Sequence, residues 1–331
     1  MTSEYAMVFA PAPVLAVTVE QRGEDPDVHL HADGQGVRQA RMLTALGHRV
    51  VLCGGFGGES GLVLRRLLRA EGIALRPVRG TFRNGVRIED RRPAEQLTVA
   101  EAPTAAPSGH DLDELHNLAL VTGLGAELAL LSEPEPGRPE PAPSDFYYRL
   151  TADLTANGRR VLADLAGPRL AAAAEGGAYL VKLDEAELPD RAAGSMATAM
   201  QQLRARGARN VLVTRGAATA LALIGSELLE LRAEPLAPAD PPIGQESMTA
   251  GVAAGLLRGA DIGAALRLGA ATRALNAVPH APGGGREAVQ RLRGAVERLA
   301  RDIELRPYTT DQPERRVRLS REELASWCRT D

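Results

Sequence analysis

Short apolar segments alternate with longer segments of helical spacing along most of this chain of 331 residues, and this alternation limits the fold more than any other feature. The strand-like segments that matter most are 50–55, 161–164, 178–181 and 211–214. Parallel strands need long connections, usually helices, and a parallel sheet carries helices on both faces. The alternation therefore predicts an α/β fold with a mostly parallel central sheet.

Two regions near the N-terminus have a different pattern. Residues 14–19 and 28–30 alternate like short strands around a polar turn at 23–26, and 86–99 reads as a second hairpin around Arg91-Arg92-Pro93. Between them, residues 59–70 have helical spacing that predicts an inward face of Leu62, Leu67 and Leu68. We therefore expect β-hairpins in addition to the main sheet.

Charge and cysteine content exclude several classes of protein. The chain has 39 basic and 42 acidic residues, a formal charge of -3, so we expect no nucleic-acid partner. The apolar stretch 247–257 is shorter than the ~18–20 residues that span a bilayer, and Pro11 and Pro13 interrupt the stretch where a signal peptide would lie. Cys53 and Cys328 are too far apart in sequence for a disulfide framework. We expect a cytoplasmic protein that enters no membrane.

Four local patterns occur in a fixed order along the chain. They are DGQGVRQA at 33–40, GGFGGESG at 54–61, KLDEAEL at 182–188 with VLVTRG at 211–216, and GQESMTAG at 244–251. Together they resemble the ribokinase-like (PfkB-type) carbohydrate kinases, most closely the fructose-1-phosphate kinase and tagatose-6-phosphate kinase branch. A single glycine motif has a high false-positive rate, but four in one order over most of the chain form a specific signal.

The resemblance implies a ribokinase-like three-layer α/β/α sandwich with a mostly parallel central sheet and a small β lid. It implies a kinase domain over residues 1–303, with the lid formed by about 14–31 and 84–101, and a C-terminal tail over 304–331 with a short helix. It also implies ATP and Mg²⁺ as cofactors, a sugar or sugar phosphate as substrate, and a homodimer through the lid.

The fourth pattern carries the chemistry of phosphoryl transfer. A helix N-terminus after glycines places backbone N–H groups on the transferred group, and an acid at the helix start takes the hydroxyl proton. In this register Glu246 is the catalytic base, and Gly244, Gln245 and Ser247 form the anion hole. The family has glycine where this chain has Ile243 and Gln245, and aspartate where it has Glu246. Without the resemblance, the preferred interpretation of Glu246 is an acid that stabilises the first helical turn.

The first pattern and the lid carry the substrate site. The resemblance places Gly34, Gln35, Gly36, Arg38 and Arg83 around the sugar, with glutamine in place of the family lysine and Arg38 in place of its asparagine. The two arginines would form a fork for a substrate phosphate. The alternative is that both arginines are surface residues and that the glycines only shape the turn before a helix.

The third pattern would bind the nucleotide. It assigns Lys182, Asp184, Thr214 and Gly216 to the nucleotide, and Glu187 to Mg²⁺ through water. The alternative for Lys182 and Glu187 is an ordinary position at a strand end or in a solvated loop.

These assignments lead to two functional hypotheses. The first is an ATP-dependent phosphotransferase, phosphofructokinase-like, which acts on a hydroxyl of a sugar or sugar phosphate and has reduced activity because the motifs are altered. The alternative is a catalytically impaired pseudokinase that binds a nucleotide, a metabolite or a partner protein. A nucleoside or another non-phosphorylated substrate is a third, weaker hypothesis, which would explain why Gln35 replaces the lysine.

Overall fold

The structure is a computed structural model, and it describes residues 5–92, 97–134, 142–187, 193–216, 219–233, 245–275 and 286–308. For 193–195, 245 and 286–291 it describes the backbone alone.

A large central sheet organises the described part of the chain. Its strands, numbered in chain order over the whole molecule, are β1 (Ala6–Phe9), β4 (Val50–Gly55), β5 (Ala74–Val78), β8 (Leu128–Ser132), β9 (Arg160–Asp164), β10 (Leu180–Asp184), β11 (Asn210–Arg215), β12 (Thr219–Ile224), β13 (Glu227–Arg232) and β14 (Leu305–Pro307). Their order is β14-β13-β12-β11-β10-β9-β8-β1-β4-β5. Neighbours from β5 to β11 are parallel, and β12 to β14 add an antiparallel edge. The predicted mostly parallel sheet is confirmed.

Helices cover both faces of this sheet. One face carries α1 (Gln35–Ala45), α2 (Gly58–Ala70), α7 (Gln245–Leu257), α8 (Ile262–Ala274) and α9 (Arg286–Asp302), and the other carries α3 (Gly109–Leu124), α4 (Ser144–Ala156), α5 (Gly167–Glu175) and α6 (Ala193–Arg206). Side chains alternate along β1, so Val8 belongs to the first apolar core and Phe9 to the second, where it stacks on Phe146 at 5.2 Å. The three-layer α/β/α sandwich is thus confirmed.

A separate four-stranded sheet forms the lid. Its strands are β2 (Val14–Arg22), β3 (Asp25–Asp33), β6 (Val86–Asp90) and β7 (Leu97–Ala102), in the order β3-β2-β6-β7. Both predicted hairpins are present, because β2 pairs antiparallel with β3 and β6 pairs antiparallel with β7. The parallel pairing of β2 with β6 joins the two hairpins into one sheet.

Helices α7 and α8 pack with their backbones in close approach. A Cβ atom on Gly251 would lie 2.8 Å from the Cα of Gly269, and one on Gly255 would lie 2.7 Å from the Cα of Ala265. Real side chains cannot occupy such spaces, so glycine at these positions lets the two helices touch. The pair therefore forms one closely packed unit.

Two local predictions need correction. Leu62 of α2 is 60% exposed, whereas Leu64 and Leu68 are buried, because residues two apart lie on nearly opposite sides of a helix. The strand predicted at 178–181 lies at Leu180–Asp184, so Lys182 is inside the strand.

The start of the predicted C-terminal tail joins the central sheet through Leu305–Pro307, and its predicted short helix lies outside the described residues.

Candidate active site

The carboxyl ends of the parallel strands define one edge of the central sheet. Strands β8 to β11 run in the same direction, so the ends of all four lie along this edge, where open α/β sheets bind their ligands. Helices α1 and α7 both begin there. Gln35 of α1 donates a hydrogen bond from Nε2 to the Asp164 carbonyl oxygen at 3.1 Å, and Thr249 of α7 donates from Oγ1 to Asp164 Oδ2 at 2.6 Å.

Asp164, the last residue of β9, is the centre of this edge. Its carboxylate is almost fully buried and lies 3.1 Å from the Lys182 ammonium, and Gln39 Nε2 donates to it at 2.9 Å. Ser132 fixes Gln39 in turn, by donating to its Oε1 at 2.5 Å. Sequence reasoning missed Asp164, although an acid that ends an otherwise apolar strand segment was a usable signal. Lys182 is thus held by a carboxylate in the protein interior, and its nucleotide contact stays a prediction.

Glu246, the predicted base, lies in the first turn of α7 and pairs with Arg38 of α1. Glu246 Oε1 accepts hydrogen bonds from Arg38 Nη2 at 2.8 Å and from Arg38 Nε at 3.2 Å. Arg38 Nη1 donates to Asp33 Oδ1 at 2.7 Å. Burial alone would raise the pKa of Asp33, but the charges of Arg38 and Arg87 and the backbone N–H of Gly34 hold that pKa below its ordinary value. Burial alone would lower the pKa of Arg38, but the carboxylates of Asp33 and Glu246 raise that pKa above its ordinary range.

This group of charges continues into the lid. Arg87 of β6 places Nη2 2.7 Å from Asp33 Oδ2 and Nε 2.7 Å from Glu89 Oε1. Glu89 is buried and also pairs with Arg91 at 2.9 Å. A continuous line of alternating charges therefore links the candidate base to the lid sheet.

The glycines of the first pattern have structural reasons for their presence. Gly34 is the N-cap of α1 with φ of 114°, a conformation that favours glycine. A Cβ atom on Gly36 would lie 2.6 Å from the Cβ of Ala10 and 2.9 Å from Ser132 Oγ, so glycine lets α1 approach β1 and β8. Gly34 thus shapes the start of α1 and Gly36, inside that helix, permits close packing, and a role of either glycine in sugar binding stays a prediction.

A cleft beside these glycines contains a carboxylate that the sequence patterns did not indicate. It is lined by Ala10–Pro13, Gly34–Val37, Glu133 and Pro134. Burial raises the pKa of Glu133, although Arg169 and the backbone N–H of Ala166 bind its carboxylate and oppose that rise. Glu133 therefore adds an acidic group to this cleft.

The two arginines predicted to form a phosphate fork have different surroundings. Arg38 is bound to two carboxylates, whereas Arg83 is exposed and packs its methylene chain over Gly58, where a Cβ atom would lie 2.7 Å from Arg83 Cγ. Among the described residues, Arg83 has no ion-pair partner. Arg83 is thus the arginine with a guanidinium free to meet a substrate, and the fork itself stays a prediction.

The residues assigned to the nucleotide lie at the ends of β10 and β11. Asp184 accepts hydrogen bonds from Thr214 Oγ1 and from the backbone N–H of Ala186, both at 2.9 Å, so it fastens the two strands together. Gly216 is exposed with φ of 47°, and its N–H donates to Glu185 Oε1 at 3.0 Å. The Thr214 hydroxyl is therefore used inside the protein, whereas the backbone around Gly216 faces outward.

Arg273 of α8 supports the loop that follows β11, and sequence reasoning did not identify it. Its guanidinium donates to the carbonyl oxygens of Gly216 and Thr219, at 3.1 Å for Thr219. Burial lowers the pKa of Arg273, while Asp184 and Glu185 oppose that change. One buried side chain therefore holds both ends of this loop.

Glu187, the predicted metal residue, lies in a short 3₁₀ turn after β10. Its Oε2 accepts from the backbone N–H of Asp184 at 3.1 Å. Burial raises the pKa of Glu187, Asp164 and Asp184 add to this, and Lys182 opposes it. Within the described residues no three potential ligands form a metal cluster. Mg²⁺ usually takes one or two carboxylates together with phosphate oxygens and water, so a single carboxylate fits that mode of binding.

The predicted anion hole is described only in part. Gly244 lies outside the described residues, and the backbone of Gln245 begins α7. The side chain of Ser247 is buried, and its Oγ has no hydrogen-bond partner among the residues that the structure describes. A buried hydroxyl with unused capacity next to a helix N-terminus fits an anionic group bound there.

Comparisons with known proteins point to one family. Residues 7–278 match a family described as pfkB family carbohydrate kinase. A 1-phosphofructokinase from Xanthomonas campestris pv. campestris is 28% identical over 240 residues, which cover 68% of this chain and 74% of that protein.

Solved structures match over nearly the whole chain. A Thermotoga maritima protein assigned as a possible 1-phosphofructokinase has a TM-score of 0.72 at 13% identity, covering 92% of this chain and 100% of that one. Phosphofructokinase-2 from Escherichia coli, in a complex with potassium, has a TM-score of 0.69 at 21% identity, covering 90% and 100%. At these identities the likeness establishes the fold.

Proposed function

Because this chain belongs to the pfkB family of carbohydrate kinases, we propose that it transfers a phosphoryl group from ATP to a hydroxyl group of a sugar phosphate. The observation that carries the proposal is the position of Glu246. Its carboxylate stands at the start of α7, and Thr249 fastens the same helix to Asp164 at the carboxyl edge of the sheet.

Glu246 takes the proton of the sugar hydroxyl as the hydroxyl oxygen attacks the phosphorus. A general base works within ~2.6–3.2 Å of that hydroxyl, so the hydroxyl must lie in front of the first turn of α7. The backbone N–H groups of this turn, including those of Gln245 and Ser247, then face the negative charge on the transferred group. ATP would supply that group, so that the bond from the γ-phosphorus to the bridging oxygen breaks and ADP leaves, and Mg²⁺ would neutralise part of the charge.

The nucleotide lies between the loop after β11 and the start of α7. Gly216 permits a close approach of the nucleotide to the backbone, and Arg273 fixes this loop by hydrogen bonds to the carbonyl oxygens at its two ends. Glu187 is the one side chain that we assign to Mg²⁺, through water, with the remaining ligands coming from phosphates and solvent. Lys182, Asp184 and Thr214 hold the strand ends at this site, and their contact with the nucleotide stays a prediction.

The substrate is anionic, and its phosphate meets the exposed guanidinium of Arg83 from the side of the lid. The sugar ring lies against the segment Gly34–Gly36, next to which Glu133 contributes a carboxylate. Arginine suits a phosphate because its planar fork makes two parallel hydrogen bonds.

A second copy of the chain covers the outer face of the lid. Val28 and Leu30 of β3 and Leu97 and Val99 of β7 are each about half exposed or more, at 46–59%. Exposed apolar patches of this kind mark interaction surfaces. The proposed assembly is a homodimer through this face, which we call the lid face.

No helix among the described residues has the length and apolar character to cross a membrane. The two cysteines distant in sequence suit a reducing cytoplasm, which is the location we propose. The comparisons give no support to the pseudokinase alternative.

The test of the proposed function is ADP release by the full chain with MgATP and a panel of fructose phosphates and other hexose phosphates. The kinase proposal expects saturable, substrate-dependent ADP release with at least one sugar phosphate and weaker turnover of the unphosphorylated sugar. MgATP binding in calorimetry together with no turnover of any panel member would refute the kinase and favour the pseudokinase.

A further inference from the structure

Both hydrogen bonds from Arg38 to Glu246 go to one oxygen of that carboxylate. Nη2 donates to Oε1 at 2.8 Å and Nε donates to the same Oε1 at 3.2 Å, while Nη1 is bound to Asp33. Arg38 therefore fixes Oε1 and makes no hydrogen bond to Oε2. Both side chains are four-fifths buried, so bulk water competes weakly for these bonds.

We propose that Arg38 is a positioning residue, which holds Glu246 Oε1 so that Oε2 points at the hydroxyl of the substrate. This inference rests on the proposed kinase function, and it gives Arg38 a role other than phosphate binding. A glutamate has one more rotatable bond than an aspartate, so an uncontrolled Glu246 carboxylate would sample several positions. A base that a third group orients is held in its productive geometry before the reaction.

Charge decides against Arg38 as a phosphate ligand. Asp33 and Glu246 are matched by the two arginines Arg38 and Arg87, so Arg38 offers an anion no excess of positive charge. A phosphate at Arg38 would have to displace one of two carboxylates that are already 2.7 and 2.8 Å away. The exposed Arg83 carries no such competition among the described residues.

The lid takes part in this positioning. Asp33 is the last residue of β3 and is held by Arg87 of β6, so two lid strands fix the carboxylate that fixes Arg38. The orientation of the base therefore depends on the lid being in the place that the structure shows.

The test is a double-mutant cycle with the wild type, Arg38→Met, Glu246→Asp and the double variant, measured as kcat and KM. A misplacement of about 1 Å costs up to ~10²-fold, so Arg38→Met is expected to lower kcat about 10- to 100-fold with KM for the sugar phosphate within about threefold. The shorter acid of Glu246→Asp withdraws its oxygens from Arg38, so both bonds, which share one oxygen, are expected to be lost. The double variant is therefore expected to equal Glu246→Asp, because Arg38 has then nothing left to hold.

Arg41→Met is the matched control. Arg41 lies one turn further along α1 and pairs with Glu71 at 2.6 Å, and its side chain is somewhat more buried than that of Arg38. Arg41→Met should lower the melting temperature to a similar extent as Arg38→Met, and it should leave kcat unchanged. If Arg38→Met does not fold, Arg38→Lys replaces it in the cycle, with an expected smaller loss of kcat because one charged bond survives.

Two outcomes overturn the inference while the kinase proposal stands. Multiplicative losses in the cycle would show that Arg38 does not act through Glu246, and a raised KM with unchanged kcat would show that Arg38 binds the substrate. A wild type that turns over no sugar phosphate overturns the proposed function itself, and the positioning role with it.

Discussion

The ammonium group of Lys182 lies 3.1 Å from Asp164 Oδ1, and both side chains are at least nine-tenths buried. These two residues join neighbouring parallel strands at the edge where α1 and α7 begin. An ion pair in such a place costs desolvation energy to form, but it is expensive to break, because the remaining charge is left without a partner.

Lys182→Met should therefore lower the free energy of unfolding strongly, by ~3–5 kcal/mol, since Asp164 is then buried without its cation. Urea denaturation of the two proteins measures the difference. Adding Asp164→Asn should restore much of the loss, because the amide keeps hydrogen-bonding capacity and carries no charge. Arg206→Met is the control, since Arg206 pairs with Glu175 on the surface and such pairs contribute at most ~1 kcal/mol. Equal losses in the two single variants would contradict the buried character of the pair.

Glu246→Gln should remove most of the turnover while the affinity for MgADP changes little. General-base assistance is worth ~10²–10⁴-fold, and the amide cannot accept the hydroxyl proton. The measurement is kcat from ADP release, with calorimetry for the nucleotide. Glu175→Gln on α5 is the control, because it removes a carboxylate charge from an exposed ion pair. Turnover that survives Glu246→Gln intact would place the base elsewhere.

Leu97→Asp should convert a dimer into a monomer of 35.0 kDa, since Leu97 is 58% exposed on the lid face and a carboxylate there cannot be buried against a second copy. Light scattering at several protein concentrations gives the mass. Val121→Asp on α3 is the control, because Val121 is exposed on a helix outside the lid. A wild type that is monomeric at all concentrations would refute the proposed assembly.

We expect His48 to make the free energy of unfolding sensitive to acid. Burial, with the nearby charges of Arg258 and Arg293, lowers the pKa of His48 from 6.5 to about 4. The unfolded chain therefore binds a proton at a higher pH than the native one does. Stability from this neutral histidine is complete above pH 6.5 and is lost as the pH falls towards 4.

His48→Gln should accordingly flatten the dependence of the unfolding free energy on pH between 6.5 and 4.5. Urea denaturation across this range compares the variant with wild type and with His110→Gln, whose histidine is exposed. A slope that His48→Gln leaves unchanged would assign the acid sensitivity to other groups.

The sequence predicts elements better than it predicts contacts. The strand at Val50–Gly55 has its predicted bounds, because an apolar segment between two turns is a local signal. Asp164 and Gln39 are 125 residues apart, and no local periodicity reports that they meet. Arg38 shows the same limit: its position in the first pattern was read from a resemblance, but its two carboxylate partners come from β3 and α7.

The close packing of α7 on α8 has a consequence for how this enzyme can diverge. Glu246 and Arg273 stand on two helices whose contact excludes even a methyl group at Gly251 and Gly255, so few substitutions there are compatible with folding. The exposed positions of the lid strands β3 and β7 outside the lid face carry no such packing restriction, whereas Asp33 is fixed by its ion pairs. Descendants of this chain can therefore acquire new acceptor preferences by changes in the lid while the apparatus that handles the phosphoryl donor is inherited intact.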